Sequence, residues 1–152
     1  MKTLVAILTS GKLDKLRRCI DSVLLQTEPS DVVVVINTLD DHYANLAFEE
    51  AAKYDIEVVI TESNGKPGKG KNSLIKHFLS TDYTHVIPVD GDDILLPTAV
   101  SRLTALVHSS AADVIGLIDG LVIMDNKQLP IETGLKSDGY VTKVLQYMDH
   151  NH

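Results

Sequence analysis

Apolar and polar residues follow one another along this chain in blocks. Leu4-Val5-Ala6-Ile7-Leu8 is a short apolar run that stops at Thr9-Ser10-Gly11, and beyond it Leu13, Leu16, Ile20, Val23 and Leu24 recur at helical spacing. The pattern predicts a strand followed by an amphipathic helix. That helix is expected to end near Gln26-Thr27, because Glu28 precedes Pro29 and is biased away from helical backbone. Asp31 then opens Val32-Val33-Val34-Val35-Ile36, whose β-branched run reads as a strand ending at Asn37-Thr38-Leu39-Asp40-Asp41. Asp40 or Asp41 should cap a helix carrying Ala44, Ala47, Phe48 and Ala51 on its inner face, and Ile56-Glu57-Val58-Val59-Ile60 reads as a third strand.

A helix with Leu74, Ile75, Phe78 and Leu79 inward comes next, then the apolar run His85-Val86-Ile87-Pro88-Val89. Pro97 or Thr98 should start a helix that buries Ala99, Val100, Leu103, Leu106 and Val107. Residues 113–118 and 121–124 read as two further strands, with Asp125-Asn126 turning the chain, and residues 139–148 could form a helix through Val141, Val144, Leu145 and Met148. Strands alternating with helices over short connections signal an α/β fold, a doubly wound and mostly parallel sheet, and right-handed crossovers place helices on both faces. Pro88 lacks the N–H that a central ladder needs, so a bulge or interrupted pairing is expected there. Residues 1–152 show no repeat or linker and are expected to form a single domain.

Chemistry concentrates where the fourth strand ends. Asp90-Gly91-Asp92-Asp93 puts three carboxylates around one glycine, and in open α/β sheets ligands bind beyond the carboxyl ends of strands. Hard oxygen donors on a tight turn suit Mg²⁺ or Mn²⁺, and a cation held there could grip a diphosphate. The competing reading is a polar turn at Asp90-Gly91, with Asp92-Asp93 capping the next helix.

Upstream lies the one strongly biased segment, Ser63-Asn64-Gly65-Lys66-Pro67-Gly68-Lys69-Gly70-Lys71-Asn72; residues 65–76 hold four lysines and no acid. Glycine-freed N–H groups, a helix N-terminus and ammonium groups together would make an anion site, although a solvated loop would have the same composition. Gly65-x-x-x-x-Gly70-Lys71 also reproduces most of a Walker A loop. That motif needs a Ser or Thr hydroxyl for Mg²⁺ where this chain has Asn72, so a P-loop-like NTP-binding protein is the minor alternative.

Charge narrows the partners. The chain has 152 residues, 44% of them hydrophobic, and a formal net charge of −7, which argues against a nucleic-acid binder. Its single cysteine, Cys19, rules out an internal disulfide and a Cys-based zinc site, and reads as a core residue. The first apolar run is too short for a signal-peptide core and no run approaches a transmembrane segment, so the expected compartment is the cytoplasm.

Several landmarks in order resemble the family 2 glycosyltransferases. These are the first strand with its small polar turn, the helix ending Ser22-x-x-x-Gln26-Thr27, the Asn64-Gly65 to Lys71-Asn72-Ser73 segment, and Val89-Asp90-Gly91-Asp92-Asp93, which is similar to the family's Asp-x-Asp-Asp signature. The resemblance covers most of the chain from Leu4 to about Leu129 and implies the nucleotide-sugar-binding GT-A fold. It further implies a donor site for a nucleotide-diphosphate sugar, a UDP- or GDP-sugar. Thr9 and Ser10 would border the nucleotide, Asn37 at the end of the second strand would contact the base, and Asp90 would face the ribose or base. Asp92 or Asp93 would ligate Mn²⁺ or Mg²⁺, with Lys71 and Lys69 assisting the diphosphate charge. The implied reaction is metal-dependent, inverting glycosyl transfer to an unknown acceptor; the alternative is a non-catalytic nucleotide-sugar-binding module or the donor half of a larger assembly.

Two departures stand out. The family usually carries an Asp-Asp-Gly-Ser-like turn after the second strand, where this chain has Asn37-Thr38-Leu39-Asp40-Asp41. Its catalytic base is an acid in a later acceptor-binding region, here expected to be short or absent. No motif assigns that role to Glu132, Asp138 or Asp149. The apolar face over residues 139–148 suggests burial against another copy, a homo-oligomer, or a partner.

Overall fold

The computed structural model describes residues 1–61 and 65–115, together with the strands at 121–124 and 127–130. The chain divides into two compact units, Met1–Ser109 and Ser110–His152. The first is built from β1 (Thr3–Thr9), α1 (Leu13–Leu24), β2 (Asp31–Ile36), α2 (Asp41–Ala52), β3 (Glu57–Ile60), α3 (Pro67–Leu79), β4 (His85–Asp90) and α4 (Ala99–Ser109). Its four strands form one parallel sheet in the order β3-β2-β1-β4.

The strands read as unbroken apolar runs because both sheet faces are covered. Side chains alternate across a strand, so Val5, Ile7, Val34, Ile36 and Val89 point one way, onto Leu16, Cys19, Ile20 and Val23 of α1, Tyr43, Ala47 and Ala51 of α2 and Val100 of α4. Leu4, Ala6, Val33 and Val35 point the other way, onto Leu74 of α3. Cys19 is a free, buried core residue as expected. Fully burying a side chain such as Leu16 or Ile20 contributes about 1.5–3 kcal/mol, so the α1 stripe alone ties that helix firmly to the sheet.

Asp40 caps α2 as expected, its Oδ1 accepting from the N–H groups of His42 and Tyr43 at 3.0 and 3.2 Å. The buried stripe of α2 differs from expectation. Tyr43, Ala47, Glu50 and Ala51 face inward, whereas Phe48 is 51% exposed. Glu50 tolerates burial because Arg17 Nε of α1 (3.0 Å) and Lys53 Nζ (2.8 Å) both donate to its Oε2, a pairing that apolar spacing cannot register. Likewise Ile75 and Leu79 of α3 and Leu106 of α4 are exposed, leaving Leu74 and the Ala99-Val100 pair as the buried anchors of those helices.

The bulge expected at Pro88 is absent. β4 pairs with β1 without a break from Thr3 opposite His85 to Leu8 opposite Asp90. The N–H groups of His85 and Gly91 donate to Lys2 and Leu8 of the β1 side, so odd positions of β4 face β1 and the Pro88 nitrogen faces away from it. The proline therefore removes no bond from this pair.

In the second unit β5 (Leu121–Met124) pairs antiparallel with β6 (Lys127–Pro130). β5 matches an expected strand, while residues 113–115 are not extended into one and β6 was not anticipated. The helix expected over residues 139–148, and with it the homo-oligomer face, lies outside the described residues. Among the described residues no helix is long and apolar enough to cross a membrane.

Candidate active site

The carboxyl ends of β1, β2 and β4 and the first turn of α3 bring most of the expected site residues together. β4 ends in a turn closed by the Asp93 N–H donating to the Asp90 carbonyl at 2.9 Å. Gly91 is required there. Its N–H donates to Leu8 O at 2.7 Å, and a Cβ would lie 2.9 Å from Thr9 Cβ and 3.0 Å from Leu8 O. The acidic turn thus rests directly on the end of β1. α4 begins at Ala99, well beyond Asp93, which removes the helix-capping reading of Asp92 and Asp93.

Negative charge accumulates in this turn. Partial burial, then the neighbouring Asp92 and Asp90, hold the Asp93 carboxyl above its usual value of 3.8, against the opposing pull of Lys71 and Lys15. Behind the turn, the Cys19 thiol lies 3.7 Å from the Asp90 carbonyl, and burial followed by the three aspartates pushes its pKa up to about 12. Cys19 therefore stays a neutral thiol, not a nucleophile.

Opposite the acids stands Lys71, whose Nζ lies 3.7 Å from Asp90 Oδ1 with both side chains half exposed. The lysine-rich segment is helix more than loop, since α3 starts at Pro67 with Lys66 as its N-cap residue. Lys69 and Lys71 stand two positions apart on that helix, so they do not share a face, and Lys71 is the one brought to the acids. The Walker-like match fails for the same reason. Gly70 lies inside α3 with its N–H donating to Lys66 O at 2.9 Å, so that N–H is not offered to a phosphate. Residues 62–64 of the biased segment lie outside the described residues.

The positions expected to border the nucleotide divide in two. Ser10 is exposed beyond β1, but Thr9 is buried and its hydroxyl pairs with that of Tyr43 of α2, a residue the apolar spacing missed. Asn37 is buried as well, its amide turned toward Thr61 and Lys66. Among the described residues no three His, Cys, Asp or Glu side chains form a ready-made metal site. Mg²⁺ and Mn²⁺ sites of the nucleotide-binding kind take one or two carboxylates and complete their shell with phosphate oxygens and water. Asp92 and Asp93, crowded by like charge, fit such a partial ligand set.

Comparison with known proteins bears on this arrangement. The sequence profile of the family described as "Glycosyltransferase like family 2" matches residues 2–147, nearly the whole chain. The chain belongs to this family. It is 29% identical over 102 residues, 66% of its length, to the "Uncharacterized glycosyltransferase EpsJ" of Bacillus subtilis (strain 168), of which it spans 29%. Crystal structures of TarS 1-349 from S. aureus, alone and in complex with UDP, superpose on 72% of this chain at 25% identity with a TM-score of 0.58. The chain spans about a third of those structures, 33% and 32%. The fold is that of the GT-A glycosyltransferases.

In this family 2 chain the Ser22-x-x-x-Gln26-Thr27 ending has a visible task. Ser22 Oγ accepts from Leu95 N–H at 3.1 Å. Gln26 Nε2 donates to the carbonyls of Ser22 (2.9 Å) and Leu96 (2.8 Å), and its Oε1 accepts from Val100 N–H at 3.0 Å. Thr27 N–H donates to Pro97 O at 2.9 Å. The C-terminal end of α1 thereby clamps the segment leading from the acidic turn into α4, and satisfies an orphan donor in the first turn of that helix.

Proposed function

We propose that the Met1–Ser109 unit binds a nucleotide-diphosphate sugar at the carboxyl ends of its strands and serves an inverting glycosyl transfer. The observation that carries this reading is the meeting of Lys71 with Asp90, beside Asp92 and Asp93, in a member of a glycosyltransferase family. The TarS structure in complex with UDP supports a nucleotide sugar as donor. Asp92 and Asp93 would hold a divalent cation, Mn²⁺ or Mg²⁺, which when bound would stabilise the negative charge that develops on the departing nucleoside diphosphate. Lys71 adds a positive charge on the same side, and Ser10 borders the nucleotide. An acceptor hydroxyl, relieved of its proton by a general base, attacks the anomeric carbon as the bond to the diphosphate oxygen breaks and its electron pair leaves with the nucleotide. Glu132, Asp138 and Asp149, the acids available for that base beyond residue 125, lie outside the described residues.

Incubation with a panel of UDP- and GDP-sugars plus Mn²⁺, following nucleotide release with and without simple sugar acceptors, tests the reading. Release of UDP or GDP is expected, at least as slow donor hydrolysis. Tight donor binding with no release under any condition would support a binding module in place of a transferase.

A further inference from the structure

Asn37 stands at the point where three elements meet. Its backbone N–H donates to Thr9 O at 2.8 Å, extending the β1–β2 ladder by one bond. Its side chain is only 1% exposed. The amide Nδ2 donates to Lys66 O at 3.3 Å, and Oδ1 accepts from Thr61 Oγ1 at 3.0 Å. Lys66 is the N-cap residue of α3, and its carbonyl also receives the first helical bond, from Gly70 N–H at 2.9 Å. Gly70 lies so close that a Cβ there would meet Asn37 Nδ2 at 2.4 Å and Cγ at 2.8 Å. The next residue is Lys71, the cation paired with Asp90.

We infer that Asn37 is a positioning residue that latches the first turn of α3 to the ends of β2 and β3, and so sets Lys71 against the acidic turn rather than reading the nucleobase. The inference rests on the donor-site reading above. A base reader must present a hydrogen-bonding edge to the ligand, and this amide is buried against Lys66, Thr61 and Gly70. At the same strand end, the residues that reach outward are Thr38, half-buried, and Leu39, 73% exposed. The same contacts suit an amide better than a carboxylate. The position needs a donor toward a carbonyl and an acceptor toward a hydroxyl on one neutral buried group, and an ionised Asp offers acceptors alone. It would set negative oxygen against Lys66 O and bury an uncompensated charge.

Asn37→Asp and Gly70→Ala attack this contact from its two sides. Each is compared with wild type by hydrogen exchange at the Gly70 and Lys71 amides, and by calorimetric affinity for UDP, GDP and inorganic pyrophosphate with Mg²⁺, well below the melting temperature. Loss of one such contact predicts exchange at Gly70 faster by roughly tenfold, and affinity for all three ligands lowered by a common factor of the same order. The UDP-to-GDP affinity ratio stays unchanged. A shifted ratio with pyrophosphate binding intact would make Asn37 a base reader and overturn the inference, as would unchanged exchange and unchanged affinities. If Asn37→Asp does not fold, Gly70→Ala decides alone. Should wild type bind none of the three ligands, the donor-site reading falls, while exchange at Gly70 still decides the latch.

Discussion

Replacing Gln26 with Leu tests whether the end of α1 holds the segment behind the acidic turn. Leu matches Gln closely in size, and position 26 lies beyond the last residue of α1, so packing and helix formation change little. What disappears is hydrogen bonding at a side chain that is 8% exposed. Val100 N–H, in the first turn of α4, loses its acceptor at 3.0 Å and is left buried, which costs about 1–3 kcal/mol. The carbonyls of Leu96 and Ser22 lose donors at 2.8 and 2.9 Å; Leu96 O keeps Ala99 N–H, so these add roughly 1 kcal/mol together. The sum is about 2–4 kcal/mol, on the order of a 10 °C fall in melting temperature for a unit of this size. Urea unfolding followed by circular dichroism, analysed by linear extrapolation, reads the difference. Leu25→Ala, at a neighbouring side chain that is 76% exposed, is the control and is expected to change stability by less than about 0.5 kcal/mol. A loss no larger than the control's would refute the clamp.

Glu50→Gln probes the buried ion pairs through pH. Burial raises the Glu50 carboxyl, but hydrogen bonds from Lys53 and Arg17 and their charges outweigh it, so its pKa lies below the ordinary 4.5. A carboxyl depressed in the folded state stabilises above its unfolded value and loses that contribution as pH falls through the folded one. The stability gap between wild type and variant should therefore be full at pH 7 and close as acid is added below about pH 4.5; a gap independent of pH would contradict the pairing. Gly91→Ala forces a methyl group against Thr9 and Leu8, and overpacking of this kind costs about 1–3 kcal/mol. Chemical denaturation checks it, with unchanged stability arguing that the turn does not rest on β1.

Much of the fold could be read from the chain because unbroken apolar runs such as Val32 to Ile36 occur where both sheet faces are covered, and the abrupt change at Asp90 marks a strand's carboxyl end. What escaped reading depends on partners distant in sequence. Pro88 pointed to a bulge because nothing in the run tells which strand its nitrogen faces. Phe48 was grouped with Ala47 and Ala51 on the inner face of α2 because the pairing of Glu50 with Arg17 crosses between helices. Glycines around Lys66 suggested a loop, although Pro67 at a first helical position was a usable signal for the start of α3. At the site, the three aspartates and Lys71 were legible by residue type. Tyr43 was not, since its hydroxyl acts through Thr9, and Asn37 was placed at the right strand end while its bonds to Thr61 and Lys66, distant in sequence, were not.

Asp92 and Asp93 with Lys71 are proposed to form a cation-dependent site for a nucleoside diphosphate. Calorimetric titration of UDP and GDP into the protein with Mn²⁺, repeated with EDTA and with Asp92→Asn and Asp93→Asn, tests it most directly. Binding of at least one nucleotide is expected with Mn²⁺, to be lost with EDTA and in one or both variants while their melting temperatures without ligand stay close to wild type. Binding that survives EDTA and both substitutions, or binding of ATP with Mg²⁺ while UDP and GDP give no heat, would contradict it.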